Sequence, residues 1–311
     1  MSRIRVSLAL GIGIHLGAFA LMIFEIEPFY TFFFLFVWWA YIILVSFINH
    51  LLKGNSFLFD QPREFLWIFS LSVVIWLLFE AYNFRLQNWY YLGVPVEEVL
   101  RWPGFILAFG TVLPGIFETE RLLGNLGVFE GSKKRGIRVQ RALRIRLTLV
   151  GVLMLMSPLV SPGIFFPLVW LGFIFLLDPI LYTQGERSRS FLRQMEAGDY
   201  SSLARFLSAG LICGVLWEFW NFWAGSKWVY VIPFFNYVEV FEMPILGYLG
   251  FSFFALECYL LYQLFLTARE KLLESKFMTL VTILLVACFS LLIIHGIDQL
   301  TVVTYKVVLS Q

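Results

Sequence analysis

Long apolar runs alternate with short polar segments along this chain. Runs near 6–24, 29–52, 65–84, 104–122, 144–160, 163–181, 202–223, 243–266 and 277–297 each approach the length a helix needs to cross hydrocarbon. The stretch from Leu147 to Leu177 carries no charge. Pro158, Ser161, Pro162 and Gly163 interrupt it, so it reads as two helices joined by a tight turn. The pattern predicts an all-α integral membrane protein with nine transmembrane helices. The first run follows Arg3 and Arg5, as the core of a secretory signal does. No small-residue cleavage site comes after it, only Glu25-Ile-Glu27-Pro28, so it is read as a retained first helix.

Composition agrees. The chain is 60% hydrophobic and 14% charged, whereas about a quarter of an ordinary soluble domain is charged. A bilayer accepts apolar surface that water does not. A net charge of +2 gives no reason to expect a nucleic-acid partner. Cys213, Cys258 and Cys288 lie in apolar runs without metal or disulfide spacing and read as small filler.

The position of charge says more than its amount. With nine crossings, segments 1–5, 53–64, 121–146, 182–205 and 267–276 share one side and hold 19 of the 23 Lys and Arg residues. The other side holds Arg85, Arg101, Lys227 and Lys306. The positive-inside bias predicts a multi-pass protein of the bacterial cytoplasmic (inner) membrane, with its N-terminus in the cytoplasm and its C-terminus outside.

The chain also repeats itself. Glu80-Ala-Tyr-Asn83-Phe84, followed by Trp89-Tyr-Tyr91, returns 138 residues later as Glu218-Phe-Trp-Asn221-Phe222, followed by Trp228-Val-Tyr230. Arg3-Ile-Arg5 matches Arg144-Ile-Arg146, Val37-Trp38 matches Val169-Trp170, and Pro103 matches Pro244. The shared order predicts a first four-helix repeat at 1–122, a basic cytoplasmic linker at 123–143 and a second four-helix repeat at 144–266. The region 267–311 supplies an extra transmembrane helix and a short tail. An even number of crossings per unit makes the repeat a parallel one.

An ionised side chain in hydrocarbon costs at least ~2.5–3.5 kcal/mol, so intramembrane acids need partners or a watery cavity. Glu80 and Glu218 fall near the outer ends of their helices, with Asn83 and Asn221 on the same face. This predicts a carboxylate and amide cluster where the two copies meet. Glu257 sits deeper, isolated within Phe251–Tyr262. Locking the halves together is as good an account of these acids as catalysis. The outer loops bring Trp89, Tyr91, Trp228, Tyr230, Glu239 and Glu242, an aromatic-rich set suited to lining a lipophilic substrate site or an interfacial belt. His15 lies beside Gly13-x-x-x-Gly17, a candidate packing motif, and His295 precedes Asp298 as a candidate proton relay. No metal-ligand spacing and no paired haem histidines occur, so no cofactor is expected.

Trp89-Tyr-Tyr91, then Gly93-Val-Pro95-Val-Glu97-Glu98, resembles the membrane lycopene cyclase domains of bacteria and fungi. Those small helical units carry an acid or Asn before a W-x-Y and a P-x-E-E at a helix start. The resemblance implies an isoprenoid or carotenoid substrate, cyclisation without a redox cofactor, and Glu97 and Glu98 as the acids with Glu80 and Asn83 behind them. The second copy has Glu239 and Glu242 in place of P-x-E-E. The whole chain also resembles uncharacterised bacterial membrane proteins that share W-E-F-W-N-F and F-E-M-P, which implies no activity.

Three function classes stay open. One is an intramembrane enzyme of cyclase or isomerase type, using Glu80, Asn83, Glu97, Glu98, Glu218, Asn221 and Glu257 on a lipophilic molecule. The second is a proton-coupled transporter, and the third a non-catalytic scaffold or accessory subunit. Membrane lipid is the one partner composition implies; protein partners are not legible.

Overall fold

A computed structural model describes residues 2–183, 190–234 and 238–303. Arg187 and Arg189 of the predicted basic loop, Tyr237, and the tail with Lys306 lie outside the described residues. The chain is almost entirely helical: α1 (Ser2–Ile23), α2 (Phe33–Lys53), α3 (Phe57–Asp60), α4 (Pro62–Leu86), α5 (Glu98–Phe109), α6 (Val112–Asn125), α7 (Arg141–Val160), α8 (Pro162–Phe165), α9 (Val169–Thr183), α10 (Phe191–Glu196), α11 (Ser201–Trp223), α12 (Tyr248–Leu273) and α13 (Lys276–Leu300). Four short strands are β1 (Trp89–Leu92), β2 (Lys227–Tyr230), β3 (Glu239–Val240) and β4 (Met243–Pro244).

Eight helical segments among the described residues are long and apolar enough to cross a membrane. They are Phe33–Lys53, Pro62–Leu86, Glu98–Asn125, Arg141–Val160, Pro162–Thr183, Ser201–Trp223, Ile245–Leu273 and Lys276–Leu300. The apolar part of α1, Leu8–Ile23, is shorter. The chain is therefore an all-α multi-pass membrane protein. The uncharged stretch breaks at Ser161, between α7 and Pro162 at the start of α8, while Pro158 lies inside the last turn of α7.

One span departs from the predicted single helix. Glu98–Asn125 breaks between α5 and α6, and Ser72 of α4 fills the gap. Its hydroxyl donates to the Phe109 carbonyl at 2.6 Å and accepts from the Leu113 N–H at 3.0 Å. A side chain thus stands where a helical hydrogen bond is missing. The predicted Gly13/Gly17 packing motif is not used, because a Cβ at either position meets nothing within 4 Å. Gly11 makes the close approach instead, to Leu44.

At the end of the bundle bearing the basic loops, two carboxylates hold short helices. Glu118, fully buried, accepts from the Ser56 hydroxyl, from the N–H groups of Phe57 and Leu58, and from the Asn49 amide. Asp178 accepts from the N–H groups of Phe191 and Leu192 at 2.7 and 2.8 Å. Both loops read Ser-Phe-Leu, and both serines cap a helix start through the third residue on. The linker is docked: Lys134 N–H donates to the Gly198 carbonyl and Ile137 N–H to that of Met195.

The segments before and after the linker also hold each other directly. Glu64 pairs with Arg269, and Glu120 with Arg205. Tyr41 of α2 bonds to Thr119 of α6, which in turn contacts Cys213 of α11. Aromatic rings fill the middle: Phe79 stacks on Trp170 at 5.1 Å, and Trp76 lies 5.1 Å from Trp217.

Candidate functional site

The two W-x-Y segments find each other. β1 and β2 pair antiparallel, with Trp89 opposite Tyr230 and Tyr91 opposite Trp228. Directly opposed residues share a face of such a ribbon, and so do alternate residues along a strand. Trp89, Tyr91, Trp228 and Tyr230 therefore form one aromatic face. The segment after α13 pairs on the far side of β1, where Tyr91 N–H donates to the Thr301 carbonyl and Val303 N–H to that of Tyr91. Gly93 ends the strand at φ +65°, pressed against the Gly225 carbonyl.

Asn83 and Asn221 place the strands. The Asn83 amide donates to the Trp89 carbonyl at 2.8 Å and accepts from the N–H groups of Asn88 and Trp89. Asn221 donates to the Trp228 carbonyl and accepts from its N–H. Each side chain stands in for a strand backbone and sets the turn from helix to W-x-Y. The polar atoms of both asparagines are thus spent on the main chain, which makes them positioning groups.

Glu80 and Glu218, both fully buried, meet the ribbon's aromatic face. One Glu80 oxygen accepts from Trp76 at 2.8 Å, from Trp89 at 2.9 Å, and from the Tyr91 hydroxyl. One Glu218 oxygen accepts from the Tyr230 hydroxyl at 2.8 Å, and the Trp228 indole N–H donates to that same hydroxyl. The second oxygen of each carboxyl has no hydrogen-bond partner. Trp76 lies four residues before Glu80; Gly214, packed against Phe251, holds that place before Glu218. Burial, with the neighbouring carboxyl, holds both phenols well above the ordinary tyrosine value, so each stays a hydrogen-bond donor.

The remaining candidates lie elsewhere. Glu97 and Glu98 are exposed at the start of α5, outside the cluster. Glu239 is exposed on β3, and Glu242 pairs with Lys227 at 2.7 Å. Glu257 is fully buried three residues below Phe254, accepts only from the Phe173 N–H at 3.0 Å, and keeps one oxygen unpartnered. Asp298 is held by Arg101 and the Trp102 indole.

Two cavities flank the ribbon. One, of about 80 Å³, touches Tyr91, Phe105, Trp217 and Trp228, with Arg101 and Lys227 in its lining. The other, of about 260 Å³, touches Trp89, Trp170, Trp228, Tyr230 and Phe254. Trp76 and Trp228 line both. Each cavity thus combines helix starts from one part of the chain with the W-x-Y tryptophan of the other. Trp76 is absent from the residues singled out by sequence, and Trp170 stands there only as part of the repeat; the i, i+4 spacing of Trp76 to Glu80 was the available signal. Comparison with protein families, characterised proteins and solved structures gives no match. The site is interpreted from its own chemistry.

Proposed function

We propose that this chain is an intramembrane enzyme that does non-redox acid–base chemistry on a lipophilic, isoprenoid- or carotenoid-like molecule. The observation that carries the reading is the doubled Glu–Tyr pair, Glu80–Tyr91 and Glu218–Tyr230, set into an aromatic face between two cavities. A protonated carboxyl behind a phenol can pass a proton onward in one concerted step: the glutamic acid gives its proton to the tyrosine oxygen as the tyrosine releases its own to an alkene carbon, so the Tyr-to-Glu hydrogen bond reverses and no phenolate forms. The resulting carbocation closes or shifts a double bond by losing a proton back along the same path. Indole and phenyl faces nearby stabilise positive charge as it forms. The net change is an isomerisation or cyclisation, and no electrons leave the substrate. The substrate type is the one the lycopene cyclase resemblance implies, but the candidate acids are the buried Glu80 and Glu218 in place of the exposed Glu97 and Glu98.

This reading carries a topology with it: two tandem parallel four-helix units, nine crossings with α1 counted, and a cytoplasmic N-terminus in a bacterial inner membrane. Matching hydrogen bonds at Asn83 and Asn221, and the paired Ser-Phe-Leu caps, support a duplication. A reporter that works only in the cytoplasm, fused at the N-terminus, is expected to be active.

The test is membrane extraction from a host making an acyclic polyene, with mass spectrometry of the lipid fraction. Wild type is expected to convert the polyene, and the Glu80→Gln/Glu218→Gln double variant to leave it unchanged while eluting as a folded protein. Equal conversion by the double variant, or none by wild type, rejects the reading. A second reading, a proton-coupled carrier, is favoured by Glu257 alone, with its unpartnered oxygen buried beneath the cavity wall. Proteoliposome proton flux abolished by Glu257→Gln would support it.

A further inference from the structure

The two Glu–Tyr pairs are not equivalent, and the difference is chemical. Glu80 has three donors on one oxygen, and its tyrosine is packed against Phe105 and Phe109 beside a cavity of only about 80 Å³. That space admits a few waters but is far below the size of a small-molecule site. Arg101 and Lys227 in that lining also hold charge close by, although both are already paired, with Asp298 and Glu242. Glu218 has a single donor, Tyr230, which lines the larger cavity of about 260 Å³.

Among the described residues, that larger cavity has no charged side chain in its lining. Its polar groups are the Asn88 amide, the indole N–H groups and the Tyr230 hydroxyl. One margin is formed by Leu246 and Leu249, 56% and 55% exposed on the bundle's outer surface at the start of a membrane-spanning segment. A solute arriving there comes from hydrocarbon. Its volume falls just below the usual ~300–1,000 Å³ of small-molecule sites, which suits one end of a long molecule whose remainder stays in lipid.

We infer that the cavity walled by Trp89, Trp170, Trp228, Tyr230 and Phe254 binds the uncharged ring or branched end of a lipophilic chain entering sideways from the bilayer. Glu218–Tyr230 is the pair that serves it, and Glu80 with Trp76, Trp89 and Tyr91 is a brace that fixes the ribbon. This rests on the proposed lipophilic substrate but assigns it to one site and excludes a charged head group from that site.

Two glycines test the assignment. A Cβ at Gly250 comes no nearer than 4.0 Å to Trp170, so a larger side chain there grows into the big cavity from an unstrained position. Gly104 borders the small cavity, where a Cβ meets Phe32 at 3.4 Å. Purified wild type, Gly250→Leu and Gly104→Leu are placed in nanodiscs and titrated with lycopene, an uncharged polyene, following quenching of tryptophan fluorescence. Each variant is first checked for a single cooperative melt, and Gly250→Ala serves as the milder version should Gly250→Leu not fold. The expected result is saturable quenching by wild type, at least tenfold weaker with the Gly250 variant and unchanged with Gly104→Leu. Loss through Gly104→Leu alone overturns the site while sparing the proposed function. No binding by wild type sinks both. Tighter binding of geranylgeranyl diphosphate than of lycopene, lost with the Gly250 variant, overturns the uncharged class. A final arm separates the pairs: Glu218→Gln that abolishes polyene conversion without lowering the melting temperature, beside Glu80→Gln that lowers it, supports the assignment, and the reverse pattern rejects it.

Discussion

Tyr91 stands directly opposite Trp228 across the two-stranded ribbon, so each W-x-Y completes its aromatic face with residues of the other. A hydroxyl from one segment and an indole from the other share each wall. Neither segment forms the face alone, since four residues of isolated strand have no partner for their backbone groups. The ribbon is thus both the join between the segments and the ceiling of the cavities.

Gly93 tests the ribbon's tightness. Its left-handed φ of +65° suits glycine, and an added Cβ would lie 2.2 Å from the Gly225 carbonyl oxygen. Gly93→Ala is expected to lower the melting temperature in detergent, with a cost on the order of 1–3 kcal/mol. An unchanged melt would mean the two loops part freely.

The asparagines give a graded comparison. Asn83 serves three backbone groups and Asn221 two. Each buried group left unpaired costs about 1–3 kcal/mol. Asn83→Ala should therefore destabilise more than Asn221→Ala, and Asn→Asp at either site should fail to rescue, because a carboxylate cannot donate to the strand carbonyl. Equal thermal shifts, or rescue by aspartate, contradict these roles.

Arg101 and Asp298 bind α5 to α13 through two short contacts, with side chains 10% and 5% exposed. Removing one partner strands the other, at about 3–5 kcal/mol. Asp298→Ala is expected to be markedly less stable than Asp298→Ala combined with Arg101→Met. Additive losses in that double-mutant cycle would show the pair to be uncoupled.

Glu118 offers a test far from the ribbon. Its second oxygen accepts from the Asn49 amide, whose own oxygen is committed to Asn125. Glu118→Gln presents an NH2 group to an NH2 group with no compensating flip. Hydrogen exchange across 56–60 should quicken by roughly tenfold or more, in line with a loss of about 1.4 kcal/mol. Unchanged exchange would rule out Glu118 as the cap of that loop.

The spans were legible because hydrocarbon tolerates few polar groups, and the break at Ser161–Pro162 because proline cannot continue a helix. The pairing of Glu80 and Glu218 with tyrosines was not legible as such. The two W-x-Y segments, 138 residues apart, meet through backbone hydrogen bonds that leave no mark on side-chain pattern. The Ser72 bridge escaped notice for a related reason: a serine in an apolar helix looks the same whether it bonds its own turn or a neighbour's. Glu97 and Glu98 drew attention as adjacent acids after a proline, yet that grouping is also how a helix begins, with negative charge near its positive end. The Ser-Phe-Leu recurrence at 56–58 and 190–192 was present in the letters but lies at a different offset from the main repeat.

The strand of main chain from Thr301 to Val303 occupies the free margin of β1 and has no counterpart beyond β2 among the described residues. The ribbon thereby has a left and a right. Its clamped strand cannot shift without unseating the neighbour on either margin, whereas the other strand is held on one margin alone among the described residues. Lengthening or trimming the chain after α13 is therefore an intervention at the ribbon itself, and tags belong at the other terminus.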